Sequence, residues 1–117
     1  MVLLFWLFTK HLICDFPLQT KFQYLNKGTY GHPGGLLHAF IHVVGTALVV
    51  TLFGPGLFTG ILVGLVDGAI HYHIDWAKMN INTKYGLKPD NSEKFWWLLG
   101  LDQYLHCLTY LLIASIL

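Results

Sequence analysis

The feature that most constrains this sequence is a set of four apolar segments, each carrying a pair of ionisable side chains. The segments cover residues 2–16, 36–53, 57–79 and 94–117. Proline or glycine lies at several of their ends, and the tightest turn is the GPG at 54–56. An ionisable side chain at the centre of a membrane helix costs roughly 3 kcal/mol. Pairs placed within such segments therefore indicate a function or a set of internal partners.

The composition indicates a membrane protein. The chain has 117 residues, of which 55% are hydrophobic and 11% charged, whereas soluble domains average about 25% charged residues. We therefore predict an all-α polytopic membrane protein, a single domain over residues 1–117 folded as a four-transmembrane-helix up-down bundle. An amphipathic stretch at about 18–27 is predicted to lie at the membrane interface.

The lysines orient this predicted bundle. Lys10 lies near the end of the first segment, and no lysine lies at the opposite end of the bundle. By the positive-inside rule we expect a multi-pass protein of the plasma (inner) membrane with both long loops cytoplasmic and both termini outside. The remaining lysines lie in or beside those two loops: Lys21, Lys27, Lys78, Lys84, Lys88 and Lys94.

Each segment contains one pair of side chains at i and i+4, a spacing that puts both on one helix face. Three pairs combine a histidine with an aspartate, and the pair of the second segment is two histidines. In an up-down bundle all four pairs fall at similar depth, towards the lysine-rich end. Five imidazoles and three carboxylates suit two divalent ions, or one ion with an elaborate set of supporting residues; Zn, Fe, Mn and Ni all accept such ligands. The predicted ligands are His11, Asp15, His38, His42, His71, Asp75, Asp102 and His106.

The leading functional hypothesis is a metal-dependent hydrolase acting on a phosphoester or lipid-type substrate at the cytoplasmic leaflet. A metal-bound water would be the nucleophile, Asp15 or Asp102 the general base, and Lys78 a contact for the anionic substrate. Asp67, four residues before His71, is a further ligand, a supporting acceptor or a simple polar contact.

Other functions compete with this hypothesis. The same side chains also suit a non-enzymatic bundle that passes metal ions or protons, or a di-iron or haem redox protein. A further alternative is that they only join the helices through hydrogen bonds. The expected partners are the lipid bilayer, the substrate and a second copy of the chain packed along Gly60, Gly64 and Gly68. A nucleic-acid partner is not expected, because the net charge is only +1 and arginine is absent.

Five motifs carry a resemblance to a known family. The sequence resembles a small group of bacterial and phage membrane proteins, domain of unknown function 3307, and is more loosely similar to membrane proteins described as metal-dependent hydrolases. The family resemblance implies a complete small membrane protein, and it places Gln19, Asn26, Lys78 and Gln103 in the same motifs as the pairs. The motifs are HLICDFPLQT (11–20), NKG (26–28), LLHAFIH (36–42), HYHIDWAK (71–78) and LDQYLH (101–106).

Overall fold

A computed structural model describes residues 1–117 as five helices without a strand. The all-α prediction is therefore confirmed. The interfacial stretch predicted at 18–27 contains one short helix of four residues. The helices are α1 (Val2–Asp15), α2 (Lys21–Tyr24), α3 (Pro33–Phe53), α4 (Leu57–Tyr85) and α5 (Glu93–Ile116).

The four long helices form a closed ring in which each packs against two neighbours. Helix α1 contacts α3 and α5, and α4 contacts the same two helices from the other side, while α2 packs on α3. Helices α1 and α3 are antiparallel. Trp6, early in α1, stacks on Phe53 at the end of α3, and Asp15 at the end of α1 contacts His38 early in α3. The helices therefore alternate in direction, and the His/Asp pairs come to one level of the bundle.

Two helices extend several residues beyond their predicted bounds. Helix α3 begins at Pro33 instead of residue 36, because proline suits the first helical position and the His32 ring accepts a hydrogen bond from the Gly34 N–H. Helix α4 continues past residue 79 to Tyr85. It ends where Gly86 adopts a left-handed conformation with φ of 61°, the first glycine after the apolar pattern stops.

Helices α3 and α4 make the most extensive contact of the bundle, along the predicted glycine row. A Cβ on Gly64 would lie 2.6 Å from the carbonyl oxygen of Val43, and Cβ atoms on Gly60 and Gly68 would also collide with α3. Because α3 of the same chain covers this row, a second copy of the chain cannot pack along it as predicted.

The burial pattern is the reverse of a water-soluble domain. Of the 25 buried residues, thirteen are polar or charged and only seven are hydrophobic. Large apolar side chains such as Leu52, Phe58 and Trp97 are instead at least 67% exposed. A small apolar core of Leu7, Val49, Tyr110 and Ile113 fills the end of the bundle near the termini. The polar cluster fills the other end.

Two helices, α3 and α4, have the length and composition of a membrane span. Helix α1, with 14 residues, is about 21 Å long at 1.5 Å per residue, short of the roughly 30 Å hydrocarbon core. Helix α5 has sufficient length, but it carries Asp102, Gln103, His106 and many aromatic residues. Four membrane spans are therefore not confirmed, although the four-helix arrangement is present.

Candidate metal centre

The structure brings all eight predicted ligands together in one buried cluster. None of them is more than 7% exposed. They form three overlapping groups, in each of which the ligand atoms lie within 4.8 Å of one another. We call these the outer triad (Asp75, Asp102, His106), the central triad (His38, His71, Asp75) and the inner group (His11, Asp15, His42, His71).

The outer triad offers the ligand atoms best suited to a cation. His106 Nε2 lies 3.3 Å from Asp102 Oδ1 and 3.4 Å from Asp75 Oδ1. All three atoms are buried and none has a hydrogen-bond partner, although buried polar atoms are nearly always partnered. Ligands about 2.0–2.1 Å from a tetrahedral ion lie about 3.3–3.4 Å from one another. The spacing and the mixed nitrogen and oxygen donors therefore fit a divalent metal.

The central triad brings the Nε2 atoms of two imidazoles together. His38 Nε2 lies 3.2 Å from His71 Nε2, and Asp75 Oδ2 lies 3.3 Å from each of them. Two ring nitrogens at this distance need a proton on one of them or a cation between them. Asp75 gives one carboxylate oxygen to this triad and the other to the outer triad, so its carboxylate bridges the two groups.

The hydrogen bond at Nδ1 of His38 shows which ring nitrogen carries the proton. Gln23 Nε2 donates to the Leu18 carbonyl at 3.0 Å, so Gln23 Oε1 is the atom that faces His38 Nδ1, also at 3.0 Å. An amide oxygen only accepts, and His38 Nδ1 therefore carries the ring proton. The lone pair of His38 Nε2 is left to point into the central triad, as metal ligation requires.

His42 has the opposite tautomer. Lys10 Nζ lies 3.2 Å from His42 Nδ1, and a lysine ammonium can only donate. His42 Nδ1 therefore accepts, and its proton lies on Nε2, which donates to Asp15 Oδ1 at 2.8 Å. In this arrangement His42 orients Asp15 and presents no lone pair to a metal.

His11 is also a donor towards the cluster. Gln103 Nε2 donates to Asp102 Oδ2 at 3.1 Å, which leaves Gln103 Oε1 to accept from His11 Nε2 at 3.0 Å. The Tyr110 hydroxyl lies 2.9 Å from His11 Nδ1 and donates to it. The eight residues thus divide into two N–H donors and six with ligand atoms facing the triads: Asp15, His38, His71, Asp75, Asp102 and His106.

Two lysines neutralise the carboxylates of the outer triad. Lys27 Nζ lies 3.1 Å from Asp75 Oδ2, and Lys78 Nζ lies 3.1 Å from Asp102 Oδ2. Lys27 also donates to Gln19 Oε1 at 3.0 Å. Lys27 is only 6% exposed; the loop position inferred for it from the sequence is correct, but its side chain enters the bundle.

A cavity of about 810 Å³ lies between the two long loops, directly against these lysines. Lys27, Lys78 and Lys88 are its cationic residues, and the side-chain oxygen of Asn82 in its wall has no hydrogen-bond partner. The other residues around it are Gln19, Tyr24, Leu25, Met79, Thr83, Gly86, Leu87, Phe95 and Leu99.

A second ion pair lies on the apolar side of the cluster. Lys10 Nζ lies 2.8 Å from Asp67 Oδ2 and 4.7 Å from the centre of the Tyr110 ring, and the Thr46 hydroxyl donates to the same Asp67 oxygen. From the sequence we used Lys10 to orient the bundle, but Lys10 is buried inside it. Its side chain turns into the bundle because Asp67 is buried there and needs a cation. Asp67 is a polar contact for Lys10 and belongs to none of the three groups.

Sequence reasoning missed the residues that hold the ligands in place. Sequence reasoning places Lys10 near the end of the first segment and Gln23 and Lys27 in the interfacial stretch, and it does not single out Tyr110. One signal was available for Lys10. It immediately precedes His11 within an apolar run, and a buried charge needs a partner such as Asp67. No comparable signal marks Gln23, whose role depends on the path of the chain after α1.

Comparison with known proteins identifies the family but not an activity. No curated protein and no solved structure matches the chain. Residues 3–117 match a family described as "Protein of unknown function (DUF3307)". Because this match covers nearly the whole chain, the protein belongs to the DUF3307 family.

Proposed function

We propose that the protein is a membrane-embedded, metal-dependent hydrolase that cleaves a phosphoester in a lipid-type substrate at the cytoplasmic leaflet. The observation that carries this proposal is the outer triad, where three buried ligand atoms converge without a hydrogen-bond partner. The triad lies behind two lysines that also border the largest polar cavity of the protein.

Two divalent ions account best for the ligand atoms. The outer triad would hold one ion through Asp75, Asp102 and His106, and the central triad a second through His38, His71 and the other oxygen of Asp75. The donors are nitrogen and oxygen without thiolate, which suits Zn, Fe or Mn.

The metal would supply a water with its pKa lowered to about 7, hence a hydroxide nucleophile near neutral pH. Residues of the chain would orient this water and accept its proton. Asp15 accepts hydrogen bonds from His42 Nε2 and lies 3.2 Å from His11 Nε2. We assign Asp15 as the general base, because Asp102 is taken up by the outer triad; the hydrogen bond from His42 holds the Asp15 carboxylate in one orientation.

The cavity supports an anionic substrate. Lysine ammonium groups bind phosphate oxygens as point charges, and Lys27 and Lys78 would bring a phosphoester to the carboxylate side of the outer triad. Apolar residues in the same wall, among them Tyr24, Leu25 and Phe95, suit the lipid part of a headgroup ester. Phospholipids and polyprenyl phosphates combine these two properties.

The apolar exterior supports a location within the bilayer. Exposed leucine, phenylalanine and tryptophan side chains surround a polar interior, and the protein is 44 Å long, about the full thickness of a bilayer with its headgroups. Lys21, Lys84, Lys88 and Lys94 lie at the cavity end, outside the buried ion pairs. By the positive-inside rule this end faces the cytoplasm, with both termini on the other side.

Metal content and hydrolysis, measured on the same detergent-purified protein, test the proposal. We expect one to two equivalents of a transition metal per chain and metal-dependent release of phosphate from a short-chain phosphatidic acid. His106→Ala should lose metal from the outer triad and abolish hydrolysis. Asp15→Asn should keep the metal and lower kcat by about 100-fold or more, the usual contribution of a general base.

His73→Ala is the matched control, because His73 is an exposed histidine on α4 that contacts Tyr30 and lies outside the cluster. It should change neither metal content nor rate. Metal-free protein purified without chelator, or a His106→Ala variant with full metal content, would contradict the metal site. Bound metal without hydrolysis of any phosphoester would contradict the hydrolase alone.

One observation favours a second function, the passage of protons or metal ions. Asp67, Lys10, His42 and Asp15 form an unbroken chain of buried hydrogen bonds that extends from the cluster towards the apolar end of the bundle. Such chains occur in membrane proton pathways. Proton or zinc flux into proteoliposomes that Lys10→Met abolishes, without hydrolysis by the wild-type protein, would favour this function.

A further inference from the structure

Lys27 and Lys78 supply, between them, the charge of one divalent cation to the two carboxylates of the outer triad. Each ammonium lies 3.1 Å from the Oδ2 atom of its aspartate, while both Oδ1 atoms converge on His106 without a hydrogen-bond partner. Lys27 comes from the loop after α2 and Lys78 from α4. The two therefore reach the triad independently.

A divalent ion bound by the two Oδ1 atoms would weaken the electrostatic attraction that holds Lys27 and Lys78 beside the carboxylates. The ion would neutralise the same two carboxylates and would repel both ammonium groups across a site that excludes water. The lysine side chains are long, and both already line the cavity on its triad side. Their nearest alternative position is therefore the cavity itself.

The cavity has polar groups that need a ligand. Asn82 Oδ1 in its wall lacks a hydrogen-bond partner, and Lys88 adds a third cation. No acidic residue lines the cavity, so lysines released into it would have no protein carboxylate to bind there. A phosphate monoester supplies the negative charge, and the P–OH group of its monoanion is a donor for Asn82.

We propose that Lys27 and Lys78 form a phosphate-monoester site that is assembled by metal binding: the lysines leave Asp75 and Asp102 when a divalent ion occupies the outer triad and then bind the anion in the cavity. This inference rests on the metal site of the proposed function and adds a coupling to it. Because coupling between two ligands is reciprocal, the anion must raise metal affinity by the same factor as the metal raises anion affinity.

The experiment measures zinc affinity of the full-length protein in detergent by competition with a chromogenic chelator, with and without phenylphosphonate, a phosphate-monoester analogue that is not hydrolysed. We expect phenylphosphonate to tighten zinc binding about tenfold, within the usual range of such couplings. In Lys78→Met the coupling should disappear. Zinc binding without the anion should be at least as tight as in wild type, because a competing cation has been removed.

Two further variants control for folding and charge. Lys84→Met removes an exposed lysine of α4 outside the cavity and should leave both affinities unchanged. Lys78→Arg keeps the cation and should retain part of the coupling. Glycerol 3-phosphate and dihexanoyl phosphatidic acid, used in place of phenylphosphonate, distinguish a free phosphate ester from a lipid headgroup as the ligand.

The possible outcomes separate the two proposals. If zinc does not bind, the metal site and this inference both fail. If zinc binds but phenylphosphonate leaves its affinity unchanged, the inference alone is overturned and the metal site stands. If Lys78→Met weakens zinc binding and keeps the coupling, Lys78 is a structural partner of Asp102 and the exchange does not occur.

Discussion

Lys10 Nζ lies 3.2 Å from His42 Nδ1, so a group that can only donate faces a ring nitrogen that must accept. This one contact determines that His42 presents an N–H to Asp15, while His38, whose Nδ1 faces an amide oxygen, presents a lone pair to His71. Two histidines one helical turn apart thus have opposite chemical roles in the same cluster.

The first prediction concerns these tautomers. In metal-free protein labelled with ¹⁵N-histidine, NMR should show the His42 proton on Nε2 and the His38 proton on Nδ1. Lys10→Met should change the His42 signals and leave those of His38 in place, and Gln23→Leu should do the reverse. The same tautomer at both positions would contradict the assignment.

The second prediction concerns the buried ion pair of Lys10 and Asp67. Removing one partner leaves an uncompensated charge in an apolar interior, so Lys10→Met or Asp67→Leu should each lower the free energy of unfolding by about 3–5 kcal/mol. The double variant Lys10→Met/Asp67→Leu should recover much of this loss, because neither charge remains. Denaturant titration in detergent measures the effect. Additive losses in the double variant would show that the pair is not coupled.

The third prediction concerns the contact between α3 and α4. Gly64→Ala would place a Cβ 2.6 Å from the Val43 carbonyl oxygen, a backbone atom that cannot move alone, so the helices must separate. We expect a loss of about 1–3 kcal/mol in unfolding free energy, as for other overpacked sites. Gly100→Ala is the matched control in α5: its Cβ meets nothing within 4 Å, and alanine should stabilise that helix by up to about 1 kcal/mol.

The fourth prediction concerns orientation in the membrane. Single cysteines are introduced at Pro55, in the turn between α3 and α4, and at Lys84, near the end of α4, after Cys14 and Cys107 are replaced by alanine. A membrane-impermeant maleimide should label Pro55→Cys on intact cells and Lys84→Cys only after permeabilisation. The reverse pattern would invert the proposed orientation, and equal labelling at both positions would contradict a chain that spans the membrane.

Much of the candidate site follows from spacing along single helices. His11 with Asp15, and Asp102 with His106, share a helix face because residues four apart are one turn apart. Alternating helix direction then puts all four pairs at one depth. These relations depend only on the regularity of the helix and on the order of the segments, so they could be predicted before any contact between helices was known.

The bounds of the helices were less predictable, because local chemistry at their ends competes with composition. Gly34 and Gly35 suggested a loop, yet they form the first turn of α3. A side chain at Gly34 would collide with the Phe22 carbonyl, and one at Gly35 would lie 3.0 Å from the Lys27 Cα atom. These glycines allow the loop after α1 to pack against α3, which no local pattern reveals.

The sequence by itself determined the helical class and the set of residues that meet in the cluster, because both depend on periodicity and on segment order. Only the tertiary structure decided the role of each. Lys10 pairs with a residue 57 positions away and Lys27 with one 48 positions away, through helix rotation and a loop path that short-range patterns do not encode. A hydrogen bond depends on the distance and angle between two specific atoms, and those are set only when all the helices are packed.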